Sequence, residues 1–567
     1  MNILTRFFRI GKCRQRRPVF MRPVPFLLAT GLCVGVSAVG ATDSAPAGQK
    51  DSPSAATSNQ SVSSASSEVQ SSFFIREYRV EGVHHLARQE IEKAVYPYLG
   101  PYRTAADVEK ARAALEKSYQ EKGYQVAAVQ IPAQQPLMRK GVILLKVAEG
   151  EVGRLRINGS RYFSIDEIRK SAPSLKEGQV IDYTQFKKDI IALNQFSDRK
   201  VNPSLRVGRR PDTLDVDLNV EDKLPLHGSV DLNNRYSPDT TELRLNAAVS
   251  YSNLWQMGHT LGVSCQLAPE DVSQTNVVSA YYLVPVPGVS WLKLMLQGTR
   301  QDSNVSTLGG AGVAGRGDII GPRAIMILPG KESFYHSITA GFDYKHFTQD
   351  LTTGSTVTQT PLTYYPVNAM YSATWAGKGW ETDVSAGPTF GVRGLGSSTV
   401  ELDNNRSTTS GGFILFKTDV SHTRDLPEGM QFFGRVQGQA ASGPLVSSEQ
   451  INGGGADTVR GYLESEAVGD NGLFGTLELR SPSLGEWLGK DVKDWRFFVF
   501  TDAGVLQVKS PLPEEHVNFG LVSTGIGSRV KFLDHYNGLF ALASPLVRGP
   551  RSEAESIFLM FQVGAEF

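Results

Sequence analysis

A chain of 567 residues is too long for one ordinary hydrophobic core, so two or more domains are expected. Charged residues make up 20%, and no apolar run beyond residue 41 reaches the ~18 positions of a spanning helix, which excludes a helical membrane protein. With 58 Lys+Arg against 57 Asp+Glu the net charge is +1, so no nucleic-acid partner is expected.

Residues 1–41 read as a secretory signal. Arg6, Arg9, Lys12, Arg14, Arg16, Arg17 and Arg22 form a basic region, residues 24–38 are apolar, and Val39-Gly40-Ala41 supplies small residues for cleavage before Thr42. Met21 is an alternative start. The apolar stretch is short for a membrane anchor, and Leu32 before Cys33 does not suit a lipoprotein site. With Cys13 and Cys33 in the leader, Cys265 stands alone and no intramolecular disulfide is expected. Residues 42–72 hold eleven Ser and almost no large apolar residue, the composition of a disordered tether.

Two small units follow, over 73–148 and 149–222. In the first, 74–80 (FIREYRV) reads as a strand, 87–96 and 105–119 as helices, and 125–131 and 142–147 as strands. The second repeats that order. Residues 152–157 form a strand, Ser164 with Glu167 forms a capping box, 183–196 is a helix, and 202–207 and 213–220 are strands. Each unit opens with a strand that runs into a Gly turn, at Arg79-Val80-Glu81-Gly82 and Arg156-Ile157-Asn158-Gly159. This tandem β-α-α-β-β arrangement resembles polypeptide-transport-associated (POTRA) domains. The resemblance implies a three-stranded sheet with an edge open to an extended partner strand.

From about residue 223 to 567, period-two alternation replaces helical spacing. Leu226, Gly228, Val230 and Leu232 share one face, as do Leu243, Leu245, Ala247, Val249 and Tyr251. Met430, Phe432, Gly434, Val436 and Gly438 form a third set, and Leu473, Gly475, Leu477 and Leu479 a fourth. The opposite faces carry charge. At the C-terminus Ile557, Leu559, Phe561, Val563, Ala565 and Phe567 alternate outward. Long alternating segments with charged opposite faces predict a transmembrane antiparallel β-barrel. At roughly 20 residues per strand and turn it would have about 16 strands.

Two motifs carry the rest. Val459-Arg460-Gly461-Tyr462 follows a Gly run at 453–455, in what should be a long loop. About forty residues on, Phe500-Thr501-Asp502-Ala503-Gly504 reads F-x-D-x-G. In a strand over 496–505, Phe500, Asp502 and Gly504 share one face and Phe497, Val499, Thr501 and Ala503 the other, so Asp502 should point into the lumen. In this order, between alternating strands and a terminal aromatic strand, the motifs resemble the two-partner secretion transporters, the haemolysin and filamentous-haemagglutinin exporter family. The resemblance implies a 16-stranded barrel in the bacterial outer membrane with two periplasmic POTRA domains. It also implies a loop folded into the pore, with Arg460 paired to Asp502 at its tip. A bidentate Arg–carboxylate contact would fix such a loop, at about 0–1 kcal/mol in a wet lumen and more if the walls desolvate it. Gly461 would allow the turn, and Tyr462 would pack on the inner wall. Several members carry an N-terminal plug helix, for which residues 42–72 have no apolar stripe.

The partners so implied are an unfolded secreted exoprotein, outer-membrane lipid, and the barrel-assembly machinery that inserts the chain itself. Energy would come from the partner folding outside. The alternatives are an insertase for other barrels, whose relatives usually carry more POTRA units, and a passive porin. Other spellings carry less. The G-x-G-x-x-G at 310–315 precedes no helix, and Arg316-Gly317-Asp318 reads as a loop turn. The adjacent His84-His85 lack further metal ligands, and Glu464 and Glu466 read as solvated loop charges. No catalytic constellation, cofactor site or metal site is found, so no enzymatic activity is expected.

Overall fold

The computed structural model describes residues 72–124, 127–133, 140–210, 213–303, 315–331, 333–353, 356–406, 408–513 and 516–567. The expected leader, its cleavage site, the Ser-rich segment up to residue 71 and the question of a plug helix lie outside them.

The first domain runs β1 (Phe73–Ile75), β2 (Glu77–Glu81), α1 (Arg88–Val95), β3 (Gly100–Arg103), α2 (Ala105–Glu121), β4 (Ala128–Gln130) and β5 (Val142–Ala148). The expected strand over 74–80 is divided at Arg76, whose amide bonds the Gly141 carbonyl at 2.7 Å. Its first piece pairs with β3, and the second lies parallel to β5, with β4 on the other side. Thr104 and Asp107 form a capping box that starts α2. Val108, Leu115 and Tyr119 of α2 then bury against Ile143, Leu145 and Val147.

The second domain repeats the wiring with β6 (Glu151–Asn158), α3 (Ile165–Lys170), α4 (Tyr183–Leu193), β7 (Arg199–Val207) and β8 (Thr213–Asp222), in sheet order β6-β8-β7. The repeated Gly turn has a steric cause. Gly82 and Gly159 have φ of +81° and +89°, and a Cβ would lie 2.2 and 2.3 Å from the carbonyl oxygens of Val147 and Val220.

Two local expectations are corrected. Ser164 caps α3 without a side-chain bond, because Glu167 instead pairs with Lys170 at 2.6 Å. The Ser164 amide is bonded by Gln256 of the barrel at 2.9 Å. The helix expected over 183–196 stops at Leu193, where the Asn194 side chain bonds both the amide and the carbonyl of Val201. Phe196 then packs on Phe163 and beneath the Arg199 guanidinium. His84 and His85 anchor Glu149. That buried carboxylate accepts bonds from both backbone amides, the His85 ring and the Tyr119 hydroxyl at 2.8–3.0 Å. Burial opposes its ionisation, but these donors outweigh burial and hold the carboxyl below its ordinary range.

Eighteen strand segments form one closed antiparallel sheet. Two of its strands are each interrupted, Phe334–Phe342 from Tyr344–Thr353 and Thr356–Tyr364 from Val367–Gly377, so the barrel has sixteen strands. The interruption crosses neighbouring strands in one row, at Pro322, Asp343 and Pro366, two of which have no N–H to give a ladder. Arg323 fills it, bonding the Phe342 carbonyl at 3.0 Å and Asp343 at 2.6 Å. Gly321 is required there, since a Cβ would meet the Asp343 carboxylate at 2.0 Å. Beyond the row, Phe347, Leu362 and Tyr364 pack inside the barrel against Leu402, Leu445 and Val446. Arg316-Gly317-Asp318 lies at the start of the strand Gly315–Ile327, not in a turn, with Arg316 paired to Asp302 at 2.9 Å.

Closure joins Leu226–Asn233 to Phe558–Glu566 over a short seam, from the pair Asn233/Gln562 to Ser229/Glu566. Phe567 extends the seam by exchanging both backbone bonds with Gly228 at 2.9 Å. Its ring covers Gly228, where a Cβ would lie 2.3 Å from it. Phe561 lies on the outward face with Val563 and Phe567.

The chain enters the barrel through a built joint. Asp198, 6% exposed, accepts from the Ser252 hydroxyl at 2.7 Å and pairs with His227 at 2.9 Å. Gln256, in the first barrel turn, also bonds the Tyr162 carbonyl. Burial works against charge on Asp198, but the bonds from His227 and Ser252 prevail and keep its carboxyl below the usual range.

Two outcomes are expected. Phe567→Asp should leave the barrel unclosed, seen as loss of a heat-modifiable band in the outer-membrane fraction. Asp198→Asn should raise hydrogen–deuterium exchange across residues 252–258. Because the Asp198 pKa is depressed on folding, its contribution is complete above the unfolded value of about 4 and is lost as pH falls through the folded value. The Asp198 contribution should therefore be present at neutral pH and fall away in stronger acid.

Candidate functional site

Between the strands Gln431–Ala441 and Asn471–Arg480 the chain turns back into the barrel. A short antiparallel pair, Ile451–Gly453 with Ala467–Gly469, stiffens this inward loop. Its tip carries Val459, Arg460, Gly461 and Tyr462, and the tip meets the strand Val492–Gln507. That strand is longer than the expected 496–505 and alternates strictly. Phe498, Phe500, Asp502, Gly504 and Leu506 are buried, and the residues between them are exposed on the outer face.

Arg460 is held from every side. Nε and Nη2 donate to the two oxygens of Asp502 at 2.8 and 2.9 Å, and its backbone amide donates to the same carboxylate at 3.0 Å. Nη1 donates to Glu478 at 2.9 Å, and Glu478 is bonded by Arg480 at 2.6 Å. The guanidinium lies flat over Phe500, 3.5 Å from the ring centroid. Asp502 has no exposure at all, so the pair is the desolvated case and not the wet one. A buried, bidentate, fully donated contact resists single-sided removal far more than a surface ion pair does.

Each remaining motif position has a steric or polar reason. A Cβ on Gly504 would meet Phe474 at 2.3 Å and Val459 at 3.1 Å, so the glycine makes room for the loop to seat. Gly461 has φ +92° and turns the chain where a Cβ would press on Ala543 and Pro545. Tyr462, 1% exposed, donates to the Val547 carbonyl at 2.6 Å and accepts from the Val522 amide at 3.2 Å. Val459 and Tyr462 pack with Phe474, Leu506 and Leu521.

Several residues of the site have no motif. Arg235, just past the first barrel strand, pairs with Asp457 and with Glu464 of the loop tip. Glu466 accepts from the amides of Arg551 and Ser552 at 2.6 and 2.7 Å. Glu464 and Glu466 are thus loop anchors, not solvated charges. Higher on the loop, Glu449 accepts from Lys345 at 2.5 Å and Tyr364 at 2.9 Å. At its base, Asp470 is clasped by Arg406. Among the described residues no cluster of metal-ligating side chains is found.

A family model described as haemolysin secretion/activation protein ShlB/FhaC/HecB matches residues 212–530, and a model of the ShlB-type POTRA domain matches residues 73–150. The chain is similar to the outer membrane transporter CdiB of Dickeya dadantii, at 20% identity over 425 residues, 72% of each chain. Among solved structures it is similar in fold to CdiB from Escherichia coli, with TM-score 0.60 and 19% identity over 89% of this chain and 93% of that one. It is also similar to BamA from Haemophilus ducreyi lacking POTRA domains 1–3, with TM-score 0.53 and 13% identity over 87% and 100%.

Arg460→Ala leaves Asp502 and Glu478 buried beside a missing cation, and should destabilise the loop by about 3–5 kcal/mol. Limited proteolysis should then cut within 452–466 at protease levels that spare the wild type. Arg460→Lys keeps charge but loses the fork and the flat stacking, and should fall between them.

Proposed function

The chain belongs to the haemolysin secretion/activation protein family of two-partner secretion transporters, and on that premise we propose that its barrel exports an unfolded exoprotein which the two N-terminal domains receive in the periplasm. The observation that carries this reading is the VRGY loop, folded into the lumen and fixed on the inward face by Asp502 and Glu478. A passive pore has no need of a strap across its own channel, held by a buried ion pair that stabilises only one loop position.

The outward face meets outer-membrane lipid. Leu473, Leu477, Val499, Ile526 and Leu559 are all exposed on it, which suits hydrocarbon and not water. The N-terminal domains lie on the side of the short turns, such as that after Leu254, and the long loops lie on the other, as periplasmic and extracellular ends do. The outward aromatic terminal strand, with Phe561, Val563 and Phe567, suits insertion by the barrel-assembly machinery. The cargo's own folding outside drives transport, with no covalent chemistry by this chain. An insertase would share the barrel; the family match over the barrel favours export.

The test is secretion per inserted barrel. Arg460→Ala and Asp502→Ala should each abolish export at normal barrel abundance, and the double variant should be no worse than either, because the two side chains act as one unit. Wild-type export from Arg460→Ala at equal abundance would sink the role of the lock.

A further inference from the structure

The lock at the loop tip is one fixture of the inward loop; another lies at the distal end of the barrel, the end away from the N-terminal domains. Asp470, at the base of the inward loop, has no solvent exposure. Its Oδ1 accepts from Arg406 Nη1 at 2.5 Å and the Leu445 amide at 2.9 Å. Its Oδ2 accepts from Arg406 Nη2 and the Lys509 amide, both at 2.7 Å. Arg406 spends its other donors on the carbonyls of Leu445 at 2.6 Å and Lys509 at 3.0 Å. One ion pair therefore gathers three separate loops: the one carrying the helix Thr399–Asn405, the inward loop, and the one after the strand Val492–Gln507.

Beneath it sits an apolar layer on the lumen side. Leu402 of that helix packs with Phe347, Leu362, Phe413, Leu415, Leu445 and Val446, all 5% exposed or less. Such a layer inside a water-filled barrel excludes water across part of the mouth, and Arg406 is the residue that holds the helix over it. The Arg406 carbonyl and the Leu402 carbonyl are in turn tied by the Thr409 hydroxyl at 2.8 and 2.7 Å, so the guanidinium is presented from a fixed turn.

We propose that Arg406 and Asp470 form a latch that seals the distal mouth of the pore, separate from the Arg460 lock. Releasing it frees the helix-bearing loop and opens the mouth to solutes while the loop tip stays seated on Asp502. Arg406 is a positioning residue that acts by holding three loops together. The inference rests on reading the barrel as a transport pore, and its readout is independent of cargo.

The measurement is ion conductance of the purified full-length protein in planar bilayers. Arg406→Ala should raise it several-fold, with Arg406→Lys intermediate because lysine cannot fork across both oxygens. A second pair of variants separates a latch from general weakening. Asn405 and Ser447 lie on the two loops with side-chain atoms 3.4 Å apart, so Asn405→Cys with Ser447→Cys, added to Arg406→Ala, staples the loops without the ion pair. The oxidised triple variant should regain the wild-type conductance, and reduction should return it to the open level. If Arg406→Ala inserts normally and conducts as the wild type does, or if its conductance rises but oxidation of the staple does not lower it, the latch is refuted. Export is scored separately. A wild-type protein that secreted no cargo would overturn the export reading and leave the conductance comparison standing.

Discussion

A carboxylate removed from water must be given a cation and hydrogen-bond donors by the protein, or it will not stay charged. Asp502 is in that position, fully buried in the wall of a wide barrel. The surroundings follow from it. Phe500 lies one inward position before it as a flat bed for the guanidinium, and Gly504 one inward position after it as a gap for Val459. The facing strand supplies Glu478 as a second acceptor, and Arg480 balances the added negative charge. Gly525 has no side chain because a Cβ would meet the Phe500 ring at 2.5 Å. The inward loop is the length and shape needed to bring one guanidinium to this spot.

Much of this was legible because β-structure has a period of two. Once residues 496–505 read as a strand, the face of Asp502 followed, and so did the outward set ending at Phe567. The tandem small domains were legible through helical spacing and a repeated Gly turn whose steric cause the fold makes plain. What the sequence hid depends on contacts between distant segments. Glu478 stands on the charged face of its strand, and only the register and the loop bring it to Arg460. Glu464 and Glu466 looked solvated because their partners, Arg235 and the 551–552 backbone, lie more than eighty residues away in sequence. Ser164 and Glu167 spell a capping box, yet tertiary contact with Gln256 and a local lysine took both groups elsewhere. Nothing in local composition marks Arg406, and the strand interruption is spelled only by two prolines far apart.

The inward loop is fixed at graded depths: Asp470 at the base, Glu449 below it, and Asp457, Arg460 and Glu464 at the tip. Every one of these contacts joins a charged group to its opposite, and most are nearly dry. The hydrogen bonds of a dry ion pair are short-ranged, and a shift of a few ångströms breaks them and leaves two buried charges without their donors and acceptors. The loop is therefore held as a unit with discrete seated and unseated positions, not as a flexible flap with a continuum of them.

The row at Pro322, Asp343 and Pro366 has a mechanical consequence. A β-barrel resists changes of cross-section through its ladder of interstrand bonds, and that ladder is broken in the sixth to eighth strands of sixteen. Half a circumference away lies the short seam between the last strand and the first. A ring with two compliant sectors on opposite sides does not widen evenly under load. It flattens, lengthening one diameter and shortening the other, with the stiff arcs between acting as rigid shells. The long axis of that oval is fixed by which strands carry the defects, so these few residues give the pore a preferred direction of strain.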